Sequence, residues 1–427
     1  MRLFCEVLLL KSRTLSAFVP ALVVSVPILI PFSNFVQIVG LIGIGFFGWK
    51  MSSETERSRF VKDTGMRWLC VGFLILWLPM LISLVDAELW QHGVLKALGQ
   101  LRFIFSAFLV VYFLTAENLR RSMLLLIAVL LFWSFDAFYE VITKSDWLGR
   151  ERYPNRINGP FDRPKLGYYL SLLLVVPSVW LWMRNRWIGT MVFLCLVATV
   201  FVSGDRGGWL HLFWAIVIPC FFAIILKPSR IFKFTALTAL LCMQVFLAYS
   251  FVDSVKKRMD RSVNALTNGL DSFMTREKAY TELSLVGITM FQNHPVNGIG
   301  FRGYRHLYND YAEPNQMVKG SVSKLTGKPQ GYYHTHSNLL LFAAEMGSIG
   351  LISLFAAIGA SLHFLWITIR DRMFLASAGW ASWVSVLFPL GFQRDIGSSE
   401  WGMFVWFIFG LAIALHKIEL VSRAQSD

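Results

Sequence analysis

The chain has 427 residues, 56% of them hydrophobic and 15% charged, with a net charge of +14 and a mean hydropathy of +0.55. That balance excludes the two or three soluble domains its length alone would allow and places it among membrane proteins. The Lys and Arg are scattered between apolar runs without forming a single stripe, so the charge points to membrane lipids and anionic substrates rather than to nucleic acid.

Backbone groups in hydrocarbon must be satisfied within their own segment, which demands helices of roughly 17 to 25 apolar residues. Twelve spans are predicted, at 14–31, 35–49, 67–85, 98–115, 122–142, 166–184, 187–204, 208–226, 231–252, 338–369, 374–392 and 400–418. The expected fold is therefore all-α. A transmembrane region fills 1–252, a large, partly helical loop 253–337, and a second transmembrane region 338–427. The tenth segment is too long for one straight span, so a short helix over 338–346, a break at Gly347 and then the span are expected. The first apolar run leads into further spans without a small-residue cleavage site, so no cleaved leader is expected. Cys5, Cys70, Cys195, Cys220 and Cys242 lie in or beside apolar stretches and read as buried small hydrophobes.

Orientation follows from the Lys and Arg of the short loops. They gather at 2–13, 50–67, 120–121, 184–186, 227–233, 370–372 and 417–423, which makes that face, with both termini, cytoplasmic. The opposite face has two basic exceptions. The loop 143–165 carries Lys144, Arg150, Arg152, Arg156, Arg163 and Lys165, and the loop 253–337 carries eleven Lys or Arg. Long loops translocate regardless of charge, but a short basic loop opposes its own insertion, so the functional reading is a cationic bowl facing a polyanion.

Arg206 stands in SGDRGGWL between two apolar spans, where a charge is expensive unless it has a task. Gly207 and Gly208 would let a substrate approach its guanidinium; a local pair with Asp205 is the alternative. In the large loop, Ala279, Leu283, Val286 and Met290 recur at helical spacing, predicting a helix from Arg276 to Asn293 that stops at His294 before Pro295. Arg276 would join a bidentate fork to first-turn amides, an arrangement suited to phosphate; pairing with Glu277 is the alternative. In HPVNGIGFRGY, Gly298, Gly300 and Gly303 permit tight turns and close approach of backbone amides to a ligand. No strand precedes them, so a nucleotide fold is rejected. His294, His306, His334 and His336 all fall in this loop. The spacing of His334 and His336, without a nearby acidic or Cys ligand, is poor for a metal. For His336, acid/base work is preferred over a cap on the helix that follows.

These residues resemble the O-antigen ligase and polymerase superfamily, the WaaL and Wzy group, and are most like the WaaL-type ligases. The match rests on His336, Ser337, nine residues, Gly347, two residues and Gly350, with support from Ser203 to Leu210, RINGPFDRPKLGYYL from Arg156 to Leu170, and HPVNGIGFRGY. It runs from about 156 to 355. The resemblance implies a glycosyltransferase of the bacterial inner membrane, with its site facing the periplasm. The implied donor is an undecaprenyl-pyrophosphate-linked glycan and the implied acceptor a lipid A-core oligosaccharide, with no metal or other cofactor. His336 matches the base for the acceptor hydroxyl, and Arg206 and Arg276 match the arginines that neutralise the pyrophosphate. Arg156 and Arg302, from the other matching stretches, join the expected donor site. Attack opposite the pyrophosphate implies inversion. The chain departs from the usual pattern in placing Gly204 and Asp205 between Ser203 and Arg206, and Asp205 is expected to temper that arginine. The same residues would serve a Wzy-type polymerase or, less well without an appended soluble domain, a protein O-oligosaccharyltransferase. A transporter or flippase would predict inverted repeats and mid-membrane ionisable residues. No repeat is seen, but Arg102 and Asp136 are positioned to line an aqueous cleft.

Overall fold

The computed structural model describes residues 18–32, 35–150, 156–267, 278–388 and 394–425. Among these residues the only β-structure is an isolated bridge between Val322 and Pro329, and the protein is a polytopic, all-α membrane protein. Eight helices are long and apolar enough to cross a membrane: Thr64–Ile82, Trp90–Phe113, Ala116–Thr143, Leu166–Arg184, Arg206–Leu226, Pro228–Phe251, Asn338–Arg370 and Ser399–Ala424. The helix Val36–Met51 turns by 111° into Glu54–Lys62, and the pair makes nine if counted as one span. The predicted count of twelve is thus not reached among the described residues. Two predicted spans are the shorter helices Arg186–Val202, of 17 residues, and Phe374–Leu387, of 14. The first gives way to the turn before Arg206, and the second ends at Phe388, whose extended backbone (φ −60°, ψ 125°) is the conformation favoured before a proline. The predicted segment 14–31 begins outside the described residues.

The axis of the bundle is Ser399–Ala424, buried continuously from Trp401 to His416. Lipid is as apolar as the side chains, so helix association there depends on close packing, which small residues allow. Gly402 faces Phe103 and Gly410 faces Ala107 across one crossing, and Gly379 faces Ala412 across another; a Cβ at each would stand only 2.4, 2.7 and 2.8 Å from its neighbour. Ile231–Phe251, at the periphery, buries only Ala248. The cysteines expected to be buried are only partly so at Cys70, Cys195 and Cys220, and Cys242 is exposed; Cys5 lies outside the described residues.

The expected break at Gly347 is present inside Asn338–Arg370, at φ 59° and ψ −152°. It removes the helical bonds that Ser348 and Ile349 would make to Ala344 and Glu345. The segment following the helix Lys278–Asn293 replaces both ends of both bonds. The amides of Ile299 and Gly300 donate to the carbonyls of Ala344 and Glu345, each at 3.0 Å, while Ser348 and Ile349 donate to the carbonyls of Pro295 at 2.8 Å and Val296 at 3.2 Å. No freed backbone group is left to be satisfied by solvent. The approach is close enough that a Cβ at Gly298 would lie 2.4 Å from the Glu345 backbone, and one at Gly347 would lie 2.4 Å from the Val296 carbonyl. Of the glycines expected to carry amides to a ligand, Gly300 donates to the broken helix instead, while Gly298 and Gly303 donate to the carbonyls of His294 and Gly300.

Only glycine adopts the Gly347 backbone conformation readily. Gly347→Ala is therefore expected to destabilise the protein by about 2 to 4 kcal/mol, read as a lowered thermal midpoint of the detergent-solubilised chain. Gly359→Ala, later in the same helix and with open space where its Cβ would stand, should leave the midpoint unchanged or raise it slightly. An unaltered midpoint in Gly347→Ala would show that the break does not organise this end of the fold.

Candidate active site

The turn at Ser203 to Asp205 ends one helix and opens the next, and three separate segments converge on it. The Ile157 amide donates to the Ser203 carbonyl at 3.2 Å, the Arg258 guanidinium donates to the Gly204 carbonyl at 2.9 Å, and the Gly167 amide donates to the Asp205 carboxylate at 3.2 Å. Arg156 forms an ion pair with Asp205 at 3.6 Å. Burial pushes the Asp205 carboxyl up to about 6, against the pull of Arg156, Arg394 and Arg258. Gly207 and Gly208 have a different task from the one expected. A Cβ on Gly207 would lie 2.3 Å from the Tyr168 ring, and one on Gly208 would lie 2.5 Å from the Gly167 backbone. They let the helix Leu166–Leu173 close against Arg206–Leu226, which leaves no room there for a substrate.

From Arg206 a line of rings leads to the histidines. Its guanidinium lies over the Tyr280 ring, 6.0 Å from the centroid, and the Tyr280 ring meets that of His336 edge to face at 5.2 Å. His336 and His334 have ring centroids 4.2 Å apart. The His336 backbone is left-handed, with φ 55°, and its N–H donates to His334 Nδ1 at 3.0 Å. A neutral His334 must then carry its proton on Nε2. The capping role weighed for His336 belongs to Ser337, whose hydroxyl accepts from the Leu340 amide at the start of the helix. Burial, reinforced by His334 and Arg394, pushes the His336 imidazole down to about 3. It is therefore held neutral, with a lone pair available for a proton, and an anion bound beside it would raise its basicity.

The other sequence-derived candidates separate. Arg276 lies outside the described residues. Arg156 joins the Asp205 turn. Arg302, also left-handed at φ 67°, makes an ion pair with Asp395 and donates to the Gly397 carbonyl. Burial opposes its charge, but Asp395 and Glu345 outweigh that effect and raise its pKa. Arg302 is thus neutralised by the protein and ties the loop 394–398 to the large loop. That loop presents Arg394, whose guanidinium stands 5.0 Å from the Tyr168 ring centroid and whose field reaches Asp205, His334 and His336. Arg394, Arg258 and Tyr280 were not singled out from sequence. Arg258 carried a faint signal, a basic residue on an amphipathic helix, Asp253–Thr267; the other two carried none. Asp136 accepts from the Trp147 amide at 2.6 Å, closing a loop rather than lining a cleft. Among the described residues no three His, Cys, Asp or Glu side chains are grouped to hold a metal ion.

Residues 190–355 match the Wzy_C family model, described as O-antigen ligase. Over this segment, less than half of its length, the chain is similar to the O-antigen ligase family. No curated protein was found to match the chain. The matched segment holds the Asp205 turn, Arg206, Tyr280, Arg302, His334, His336 and the Gly347 break, so the family match and the site coincide in a multi-pass bacterial membrane protein.

Two measurements test the electrostatics. Removing either partner of the Arg302–Asp395 pair should cost about 3 to 5 kcal/mol because the other charge is left buried. The double change Arg302→Met with Asp395→Leu should cost less than the sum of the single changes; simple additivity of the thermal midpoints would deny the pair. In the pH profile of kcat/KM for glycan transfer, His336 stays neutral down to about 3 and should give no acid limb at the ordinary imidazole value of about 6.5. Asp205, held up at about 6, loses its ion pair as pH falls through that value, so any limb there should vanish in Asp205→Asn. A limb near 6.5 that persists in that variant would show His336 titrating normally.

Proposed function

We propose that the protein is an O-antigen ligase, which moves a glycan from undecaprenyl pyrophosphate to a sugar of the lipid A-core on the periplasmic side of the inner membrane. The observation that carries this reading is the line Arg206, Tyr280, His336, in which a cation suited to phosphate and a neutral imidazole share one aromatic ring. The gathering of the loops that hold Arg156, Arg206 and His336 at one end of the bundle, away from the Lys417–Asp63 pair, supports a single face for the reaction. That face is assigned to the periplasm and both termini to the cytoplasm by the distribution of Lys and Arg.

In this mechanism the acceptor hydroxyl oxygen attacks the anomeric carbon of the donor as its proton passes to the His336 imidazole. The bond from that carbon to the pyrophosphate breaks on the opposite side, and configuration inverts. Arg206, with Arg156 and Arg276, stabilises the charge on the departing pyrophosphate without a metal ion. His334 is a positioning residue, because its Nδ1 holds the His336 amide and with it the left-handed turn.

A deletion strain tests the assignment. Lipopolysaccharide core without O-chain, with accumulation of lipid-linked polymer, is the expected profile; core bearing a single repeat would instead identify a polymerase. With purified protein, His336→Ala should lower transfer by about 100-fold to 10,000-fold, the range of a general base. His334→Ala should be milder, and a chelator should leave the wild-type rate unchanged. Near wild-type transfer by His336→Ala would remove the base mechanism.

A further inference from the structure

A cleft of about 540 Å³ has walls that include Gln37, Arg102, Arg163, Lys165, Arg394 and Glu400. Four cations thus meet one carboxylate. Lys165 is engaged by Glu400 at 2.6 Å and by Asp162 at 3.6 Å. Arg102 is different. It sits midway along the helix Trp90–Phe113, within a predicted span, where a charge is costly. Its Nη2 donates to the neutral Ser399 hydroxyl at 2.7 Å, and among the described residues its Nε has no hydrogen-bond partner and no carboxylate lies within ion-pair distance. Arg163 is exposed at the rim. The cleft therefore concentrates positive charge that the fold does not itself consume.

Its surroundings favour a ligand that arrives through the membrane. Phe35 and Ile38, on either side of Gln37, are exposed apolar residues, so this wall of the cleft borders a surface suited to acyl or prenyl chains. Basic pockets between spans are suited to anionic lipid headgroups. Arg394 lines the cleft and its field reaches His336, so the cleft and the histidines share a cation.

We propose that this cleft seats the phosphate or diphosphate of a substrate lipid, as an anion site additional to the one built on Arg206. The proposal rests on the transferase reading for the identity of the lipids. It does not rest on it for binding. The donor and the acceptor both bring lipid-borne phosphate, and the experiment separates them.

Full-length protein in nanodiscs would be titrated by native mass spectrometry with undecaprenyl pyrophosphate, with phosphorylated lipid A-core, and with diacylglycerol as a neutral control. Arg163→Gln, at an exposed position, and Arg102→Gln are each expected to weaken one or both phosphate lipids by about 10-fold to 100-fold, the loss of a charge-assisted contact. Diacylglycerol binding should not change, and Arg102→Lys should retain part of the affinity. Weakening of the undecaprenyl probe alone assigns the cleft to the donor, and weakening of the lipid A-core alone assigns it to the acceptor. Binding of both phosphate lipids within twofold of wild type in both Gln variants overturns the proposal. Because no turnover is needed, that result is distinct from a deletion profile that refutes the ligase.

Discussion

A membrane helix that is interrupted in its interior leaves two carbonyls and two amides without their helical partners, in a place where water is a poor substitute. The break at Gly347 frees the carbonyls of Ala344 and Glu345 and the amides of Ser348 and Ile349, and Pro295 to Gly300 answers all four. This exchange couples the large loop to the bundle. It places the helix Tyr304–Tyr311 over the break, where the Tyr304 amide donates to the Glu345 carboxylate at 3.3 Å. It also brings Phe301 to the Ser83 hydroxyl at the end of another span. The short helix before the break then presents the His336 turn to Tyr280 and, through it, to Arg206.

The arginines of this face are held in two ways, with different consequences. Arg302 and Arg156 meet carboxylates, Asp395 and Asp205, and so serve to join loops. Arg206 and Arg394 lie over tyrosine rings, Tyr280 and Tyr168. A ring face attracts a guanidinium and orients it without cancelling its charge. For Arg394 this keeps positive potential available for an anionic substrate, whereas the pairing of Arg302 and Arg156 uses it for structure. Asp205 stands between the two groups, for its carboxylate feels Arg156, Arg394 and Arg258 together. The extra acid before Arg206 thus acts on the neighbouring arginines that gather at the turn.

Much of the architecture was legible because its signals are local. Apolar length marks a span, and the excess length of 338–369 required a break for which Gly347 was the apt residue. The periodicity of Leu283, Val286 and Met290 gave the loop helix, and all three are buried on its inner face. The span count was less legible. Arg186–Val202 falls just short of spanning length, and the apolar run continues past the end of Phe374–Leu387, where composition alone does not register that the helix stops.

The site divides along the same line. His336 and Arg206 could be read from sequence because each is a costly residue in a stretch otherwise apolar or turn-forming. The roles of Gly207, Gly208, Gly298 and Arg302 could not, since each depends on a partner far away in the chain: Tyr168, Gly167, Glu345 and Asp395. A glycine announces that something approaches closely, yet only the fold decides whether that is a substrate or another helix. An arginine announces a charge in want of compensation, yet only the fold decides whether a carboxylate cancels it. By itself the sequence determined a many-spanning helical membrane protein with a broken tenth segment and a basic loop rich in histidine, because hydropathy, helical period and glycine conformation act within a few residues. The tertiary structure alone decided which cations are neutralised, which are stacked on tyrosine, and that Arg394 lines a second basic cleft while its field reaches His336, because Coulomb and packing energies depend on distances in space that sequence separation does not encode.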